Sequence, residues 1–448
     1  MAAGGQPTKA YMADFERFEK ELVHRAPAWT KEARKAAIER FAQLGFPTAT
    51  HEEWRYTNVA PIVRTEFLPS FEAKPPVVVS ERLEPLSFGV LKCTQLVFVN
   101  GRLSPRLSWR RPLPEGMRVL SLSEAIEDDG EALSTHLGHL AGYEDSAFTA
   151  LNAAFMEDGA FVEIPAGVAM EEPIHILHLS VAENEPVVSY PRNLIVLGPR
   201  SQATVIESYA SLQDGTYFTN AVTEVSVGPE AVLDHYKLQL ESPAAFHVGR
   251  MEVVQGDNSR VSTNSLSLGG SLVRNDVSVR FDGEGSELAM DGLFMVTGKQ
   301  HVDNHTWIDH ARPNCTSLEL YKGILDGQAK GIFNGKVFVR KGAMKTNARQ
   351  TNRNLLLSKD AYVDSTPGLV ILADDVKCAH GSSIGQLDED AIFYLRTRGI
   401  DEGTARNLLT YAFASEMVNR IRVAPMRVKV NDLVMARLPY GVSERGTR

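Results

Sequence analysis

Cys378 and His380 stand two residues apart in the stretch Ala373-Asp-Asp-Val-Lys-Cys-Ala-His-Gly381. In an extended strand alternate side chains share a face, so a thiol and an imidazole at this spacing point the same way. Leu369-Val-Ile-Leu372 before them is an apolar run of strand type. Gly381-Ser-Ser after them is a turn signal, which puts the pair at a strand end. Thiolate plus imidazole is a soft, two-atom ligand set suited to iron, zinc or copper. It is also the chemistry of an activated cysteine nucleophile. A Cys-x-His with no further donor in its segment is often incidental, and the two residues alone leave these readings open.

The elements that must position the pair differ along the chain. Phe15, Phe18 and Leu22 recur at helical spacing, and Pro27 ends that helix. A second helix, capped by Thr30, turns Ala33, Ala37 or Ile38, Phe41 and Leu44 inward and stops at Gly45 with Pro47 beyond. Glu52-Glu-Trp-Arg-Tyr-Thr-Asn58 is polar and aromatic without a period. Residues 62–120 read as loops and short strands, with a hairpin turning on Asn100-Gly101. A last helix carries Phe148, Leu151 and Phe155 and ends at Gly159.

After Gly159 the helical period vanishes for more than two hundred residues. Gly198, Gly228, Gly256 and Gly283 follow one another at intervals of 30, 28 and 27. Ala203-Thr-Val-Ile-Glu after one turn is echoed by Ala231-Val-Leu-Asp-His after the next. Short strands at this period with no helix between them predict a β-solenoid, and the even spacing favours it over a two-sheet sandwich. A solenoid coil cannot bury its apolar face alone, so both ends need covers.

Helix returns at Asp388-Glu-Asp-Ala-Ile-Phe-Tyr-Leu, where three acids suit the start of a helix dipole. Thr404 caps a longer helix with Ala405, Leu409, Phe413, Met417 and Ile421 at steps of four, widened by Leu408 and Ala412. Met426-Arg-Val-Lys-Val430 fits a strand or a helix equally. The apolar stripe can cap the solenoid or dock another protein. If it is packed away, the residues free to meet a partner are Phe393 to Ile400 and the Arg420–Arg437 stretch. The organisation expected is three regions: 1–158 helical and mixed, 159–386 the solenoid, and 387–448 helical.

Composition narrows the function. A chain of 448 residues with a formal net charge of −9 carries no basic excess of the kind nucleic-acid binders show. No apolar run approaches the roughly 20 residues that span a membrane, and the opening residues have no apolar signal core. Three widely spaced cysteines, Cys93, Cys315 and Cys378, are no disulfide framework, and the expected compartment is the cytoplasm. Gly331-Ile-Phe-Asn-Gly-Lys-Val lacks the spacing and the Ser/Thr of a phosphate loop. His301, His305 and His310 precede Cys315 within fifteen residues. On a strand the first two share a face and the third points away, which suits a hydrogen-bonded solenoid corner better than a metal site.

Several blocks of the sequence together resemble one family. They are Leu44-Gly-Phe-Pro-Thr, Glu52-Glu-Trp-Arg-Tyr, Asp158-Gly-Ala-Phe-Val-Glu-Ile-Pro, and His305-Thr-Trp-Ile-Asp-His with Pro313-Asn-Cys-Thr-Ser. Tyr321-Lys-Gly-Ile-Leu through Gly335-Lys, Gln350-Thr-Asn-Arg-Asn-Leu-Leu-Leu-Ser, the Cys378–His380 block and Phe393-Tyr-Leu-Arg-Thr-Arg-Gly-Ile follow. The likeness is to the SufB/SufD family of iron–sulfur cluster assembly proteins. It is closest to the SufD branch, because the amino-proximal cysteines of SufB-like chains are missing.

The resemblance implies a right-handed parallel β-helix between helical regions, and a non-catalytic scaffold rather than an enzyme. It implies a cytoplasmic complex with a SufB-like chain and a SufC-type ATPase, and a transient cluster built where the two scaffold chains meet. His380, with Cys378 beside it, would be this chain's metal-binding contribution. The carboxy-terminal helices, with Phe393, Tyr394, Arg396 and Arg398, would hold the ATPase. A flavin is compatible with this picture, as is a homodimer of the chain alone. The alternatives are a cytoplasmic β-helix enzyme acting on carbohydrate and a simple metal-binding homodimer. One Cys and one His cannot fill the ligand positions of a cluster, so a partner must supply the rest or the site is transient.

Overall fold

The computed structural model describes residues 5–22, 27–74, 76–183 and 185–439. From Ala160 the chain winds into a parallel β-solenoid of about eight turns, each laying one strand in each of two sheets. His301–His310 pairs with Leu272–Phe281 before it and Lys330–Val339 after it. In the other sheet Thr316–Leu325 pairs with Glu287–Val296 and Asn347–Leu356. The predicted repeat is therefore the coil itself. Thr223 lies beside Asn193 and Val227 beside Leu197, which stacks Gly228 on Gly198. Ala203 pairs with Leu233, two residues from the echo seen in the sequence, a displacement that keeps the same face inward.

The glycine column marks one corner where successive coils nearly touch. A β-carbon on Gly228 would lie 2.8 Å from the Leu197 carbonyl oxygen, and one on Gly283 would lie 2.0 Å from the Asp257 nitrogen. Neither glycine has a positive φ, so the requirement there is for space rather than for an unusual backbone.

The sheets begin upstream of the coils. Thr94–Val99 adds in parallel to Ile174–Ser180, and Arg118–Ser121 adds antiparallel to Ala160–Ile164. The Asn100-Gly101 hairpin is present, with φ of 49° and 83° at its two turn residues. Helices Gly5–Leu22, Ala28–Leu44 and Ala147–Phe155 pack Phe15, Phe18, Phe41, Phe148 and Phe155 on Tyr190, Phe218 and Phe246 of one sheet's outer face. The Leu22 side chain lies outside the described residues. Thr30 is inside its helix, its hydroxyl on the Pro27 carbonyl, and not at the cap. A helix at Leu122–Leu133, absent from the sequence reading, buries Leu122, Ala125 and Ile126.

The carboxy-terminal helices are Glu389–Thr397, Glu402–Val418 and Ala424–Met435. Asp388 and Asp401 are the N-caps of the first two; the second displaces Thr404, whose amide donates to Asp401. Met426–Val430 is helical, with Met426, Val430 and Val434 buried. Leu408 is exposed and Ala412 also faces outward, so the stripe is narrower than expected and runs through Ala405, Thr410, Ala414, Met417 and Ile421. These helices do not cap the solenoid. They pack along the outer face of the second sheet, on Tyr236, Leu266, Leu293, Leu320 and Leu355. Arg420 and Arg422 are held there by Asp291 and Asp234, at 2.9 and 2.7 Å.

Candidate functional site

Because both helical layers lie on the flanks, the last coil is left open. Tyr362–Ile371 pairs only with Lys330–Val339, and Lys377–Gly385 only with Asn347–Leu356; each ends its sheet. Burial falls away accordingly. Tyr217–Val227 is buried at almost every residue, whereas Lys377–Gly385 is exposed at all but Cys378. Tyr362, Ile371, Leu372 and Ile384 are exposed apolar side chains on this coil.

Cys378 and His380 sit on this last strand. The turn comes before them, with Asp375 at φ 53°, and Gly381-Ser-Ser continues the strand, so the pair lies near a strand start and not its end. Their shared face is the interior one. Cys378 is in register with buried Ala348 and packs against the solenoid's apolar core; His380 is in register with buried Gln350. The next inward residue, Ser382, donates to Ser365 Oγ at 2.7 Å across the mouth, and Ser365 donates to Asn352 Oδ1 at 2.7 Å. The pair thus looks out of the open end of a tube, with its floor one coil below.

The environment bears on the chemistry. Burial pushes the Cys378 thiol above its usual range, and no cation is among the causes acting on it. That is the opposite of an activated nucleophile. A metal would have to displace the proton on binding. Among the described residues no group of three or more His, Cys, Asp or Glu side chains could hold a metal ion. Cys378 and His380 are the thiol and the imidazole at the mouth of this coil.

The remaining sequence candidates separate from this site. His305 lies in the middle of the outward-facing strand His301–His310, whereas His301 opens that strand and His310 closes it, pointing inward to Ser317 Oγ at 2.8 Å, so the expected hydrogen-bonded corner fits only the two at its ends. His301 accompanies Thr57, and His305 lies between Asp303 and Glu53. Arg274 joins the same network, 3.0 Å from Asp303, with its guanidinium 3.9 Å from the Trp54 ring centroid. The aperiodic Glu52–Tyr56 segment is thereby a strap fastened to the sheet. Cys315 is buried with its thiol on the Gly283 carbonyl, and all three cysteines are free.

Phe393 and Tyr394 stand out from the first carboxy-terminal helix, 67% and 57% exposed. Arg398 lies over the Tyr394 ring with its carbon 5.2 Å from the centroid, and Arg396 is 3.4 Å from Glu402.

Two groups escaped the sequence reading. Inside the middle coils Glu207 meets His235 at 3.1 Å, Glu241 meets His247 at 2.8 Å, and Lys237 lies 2.9 Å from His247 Nε2. Burial holds Lys237 down to about 8. The other is Gln350 beneath His380. The signal for both was the coil period: Glu207 to His235 is 28 residues and Gln350 to His380 is 30.

Comparison with known proteins finds likeness along most of the chain. Residues 178–413 match the family described as SUF system FeS cluster assembly, SufBD core domain, and residues 5–176 match the SufBD protein N-terminal region. The iron–sulfur cluster assembly protein SufD of Escherichia coli is 31% identical over 430 residues, covering 95% of this chain and 96% of that protein. An iron–sulfur cluster assembly SufBD family protein of Synechocystis is 33% identical, covering 90% of each. SufD of Bacillus subtilis is 26% identical, covering 92% of this chain and 94% of its own. A two-sheet solenoid with flanking helices, an open last coil and a Cys/His pair in its mouth is here the architecture of a chain that belongs to the SufBD family of iron–sulfur cluster assembly proteins.

Proposed function

We propose that this chain is a SufD-type scaffold subunit that does no chemistry of its own. Its open coil meets a SufB-like chain, and a nascent cluster is built between them with His380, and Cys378 beside it, as this chain's donors. The observation that carries the reading is the last coil. Two unpaired strand edges of nine and ten residues end there, each able to continue into another chain's sheet. An incomplete ligand pair sits between them. A scaffold that must release its cluster is better served by sharing ligands than by holding a full set.

Residues 159–386 would be the scaffold and 387–448 the seat of a SufC-type ATPase, with exposed Phe393 and Tyr394 as anchors and Arg396 and Arg398 around them. An enzyme acting on carbohydrate along the solenoid's outer face is disfavoured by the carboxylates there. Asp276 and Asp303 are engaged by Arg274, and Glu53 by His305. Among the described residues no helix is long and apolar enough to cross a membrane.

The test is co-expression of the chain with its partners, followed by iron and sulfide analysis of the purified complex. His380→Ala should leave the complex intact and lower cluster content at least about tenfold, with Cys378→Ser milder. Cluster content equal to wild type in His380→Ala would remove the ligand role.

A further inference from the structure

Directly below His380, one coil deeper, is Gln350, and below Gln350 is Glu319. All three project to the interior, and in-register neighbours of a parallel sheet stack their side chains about 5 Å apart. Gln350 is 1% exposed and Glu319 3%. The Gln350 amide nitrogen donates to Glu319 Oε2 at 2.7 Å, while its oxygen, Oε1, has no hydrogen-bond partner. Space for the amide is provided from the facing sheet by Gly335, where a β-carbon would lie 2.3 Å from Gln350 Nε2. A buried amide oxygen left without a donor is costly, by about 1–3 kcal/mol, and calls for a partner.

We infer that Gln350 is a positioning residue that fixes the tautomer of His380, its free Oε1 accepting one ring N–H so that the other ring nitrogen is left bare toward the open mouth. The inference rests on the ligand role proposed for His380 and adds what sets that ligand's form. A neutral imidazole binds metal through its unprotonated nitrogen, and the hydrogen bond made by the other nitrogen decides which one that is. Glu319 is the anchor. Because its carboxylate takes the amide N–H, the amide cannot turn over and its oxygen must face His380. Burial pushes Glu319 up to about 7, so the acceptor form prevails at pH 8.

Two substitutions separate the parts. Gln350→Met keeps the volume and removes the acceptor. Glu319→Met keeps the volume but removes the acceptor that holds the Gln350 amide nitrogen, which frees the amide to turn over. Long-range ¹H–¹⁵N imidazole spectra of the ¹⁵N-histidine full-length chain at pH 8 read the tautomer directly, with the His380 signals identified by their loss in His380→Ala. One tautomer should dominate in wild type, by roughly fivefold or more. Gln350→Met should bring the ratio to that of a solvent-exposed histidine, and Glu319→Met should lower it toward the same value. His380 signals unchanged in both folded variants would overturn the inference. Iron and sulfide analysis of the complexes runs alongside. Should His380→Ala assemble clusters normally while the tautomer shifts occur, the ligand role falls and the positioning stands. Should His380→Ala abolish clusters while the tautomer ignores Gln350 and Glu319, the positioning falls alone.

Discussion

His305 Nε2 lies 3.0 Å from Asp303 Oδ1, two residues back on the same outward face of one strand. Its other ring nitrogen is 3.3 Å from Glu53 of the amino-terminal strap. Burial opposes a charge on His305, but Asp303 and Glu53 prevail and carry its pKa to about 9. A histidine whose pKa is higher folded than unfolded stabilises the fold fully below about 6.5 and loses that contribution as pH rises through 9. The size is on the order of 2 kcal/mol at neutral pH. His305→Gln should therefore unfold at lower urea than wild type at pH 6 and 7.5, with the gap closing by pH 9.5. A gap independent of pH would mean that the ring's packing, and not its charge, fastens the strap.

The solenoid was legible because its period is a steric demand. Gly283 admits no side chain, and it closes a column in which Gly198, Gly228 and Gly256 precede it at nearly constant spacing. The Cys378–His380 face was legible from strand alternation. What local pattern could not give was the neighbourhood. Gln350 and Glu319 belong to His380 only through register one and two coils away. The strap defied periodicity because Trp54 and Glu53 are placed by Arg274 and His305, more than two hundred residues distant. The missed helix at Leu122–Leu133 follows directly on the stretch 62–120 that reads as loops and short strands, and packing on Phe161 and Leu194 helps hold it. The misjudged stripe has a similar cause. Asn407 and Thr410 are buried and Leu408 is not, because the solenoid's outer face, and not hydrophobicity alone, chose the side.

Gly283 offers a direct measure of the coil contact. The atom that an alanine there would strike is the Asp257 backbone nitrogen, which cannot swing aside as a side chain would. Gly283→Ala should cost roughly 3 kcal/mol or more in equilibrium unfolding. Gly298 has φ of 64° and nothing within 4 Å of the added carbon, so Gly298→Ala carries only the left-handed backbone penalty, about 1–2 kcal/mol. Equal losses at the two sites would show that the glycine corner can spread, and that the close stacking is not what holds the repeat.

The carboxy-terminal helices pack on the solenoid and also carry the proposed docking residues, and one truncation cannot separate the two. Met417, Ile421, Met426, Val430 and Val434 are almost fully buried on the second sheet. At about 1.5–3 kcal/mol for each buried side chain, deleting them removes stabilisation comparable to the 5–15 kcal/mol that holds a whole domain together. A chain ending at Gly385 should therefore aggregate or unfold, which is why exposed residues give the cleaner test of docking. Phe393 and Tyr394 face solvent, and only Ile392 of their helix is buried. Phe393→Asp and Tyr394→Asp should leave the melting temperature within about 2 °C of wild type, since surface changes rarely exceed 0.5 kcal/mol. Each should weaken capture of a SufC-type ATPase about thirtyfold, as loss of an aromatic anchor worth about 2 kcal/mol would. Pull-down with the purified ATPase, titrated in concentration, measures this. Unchanged capture by both folded variants would move the docking surface off this helix.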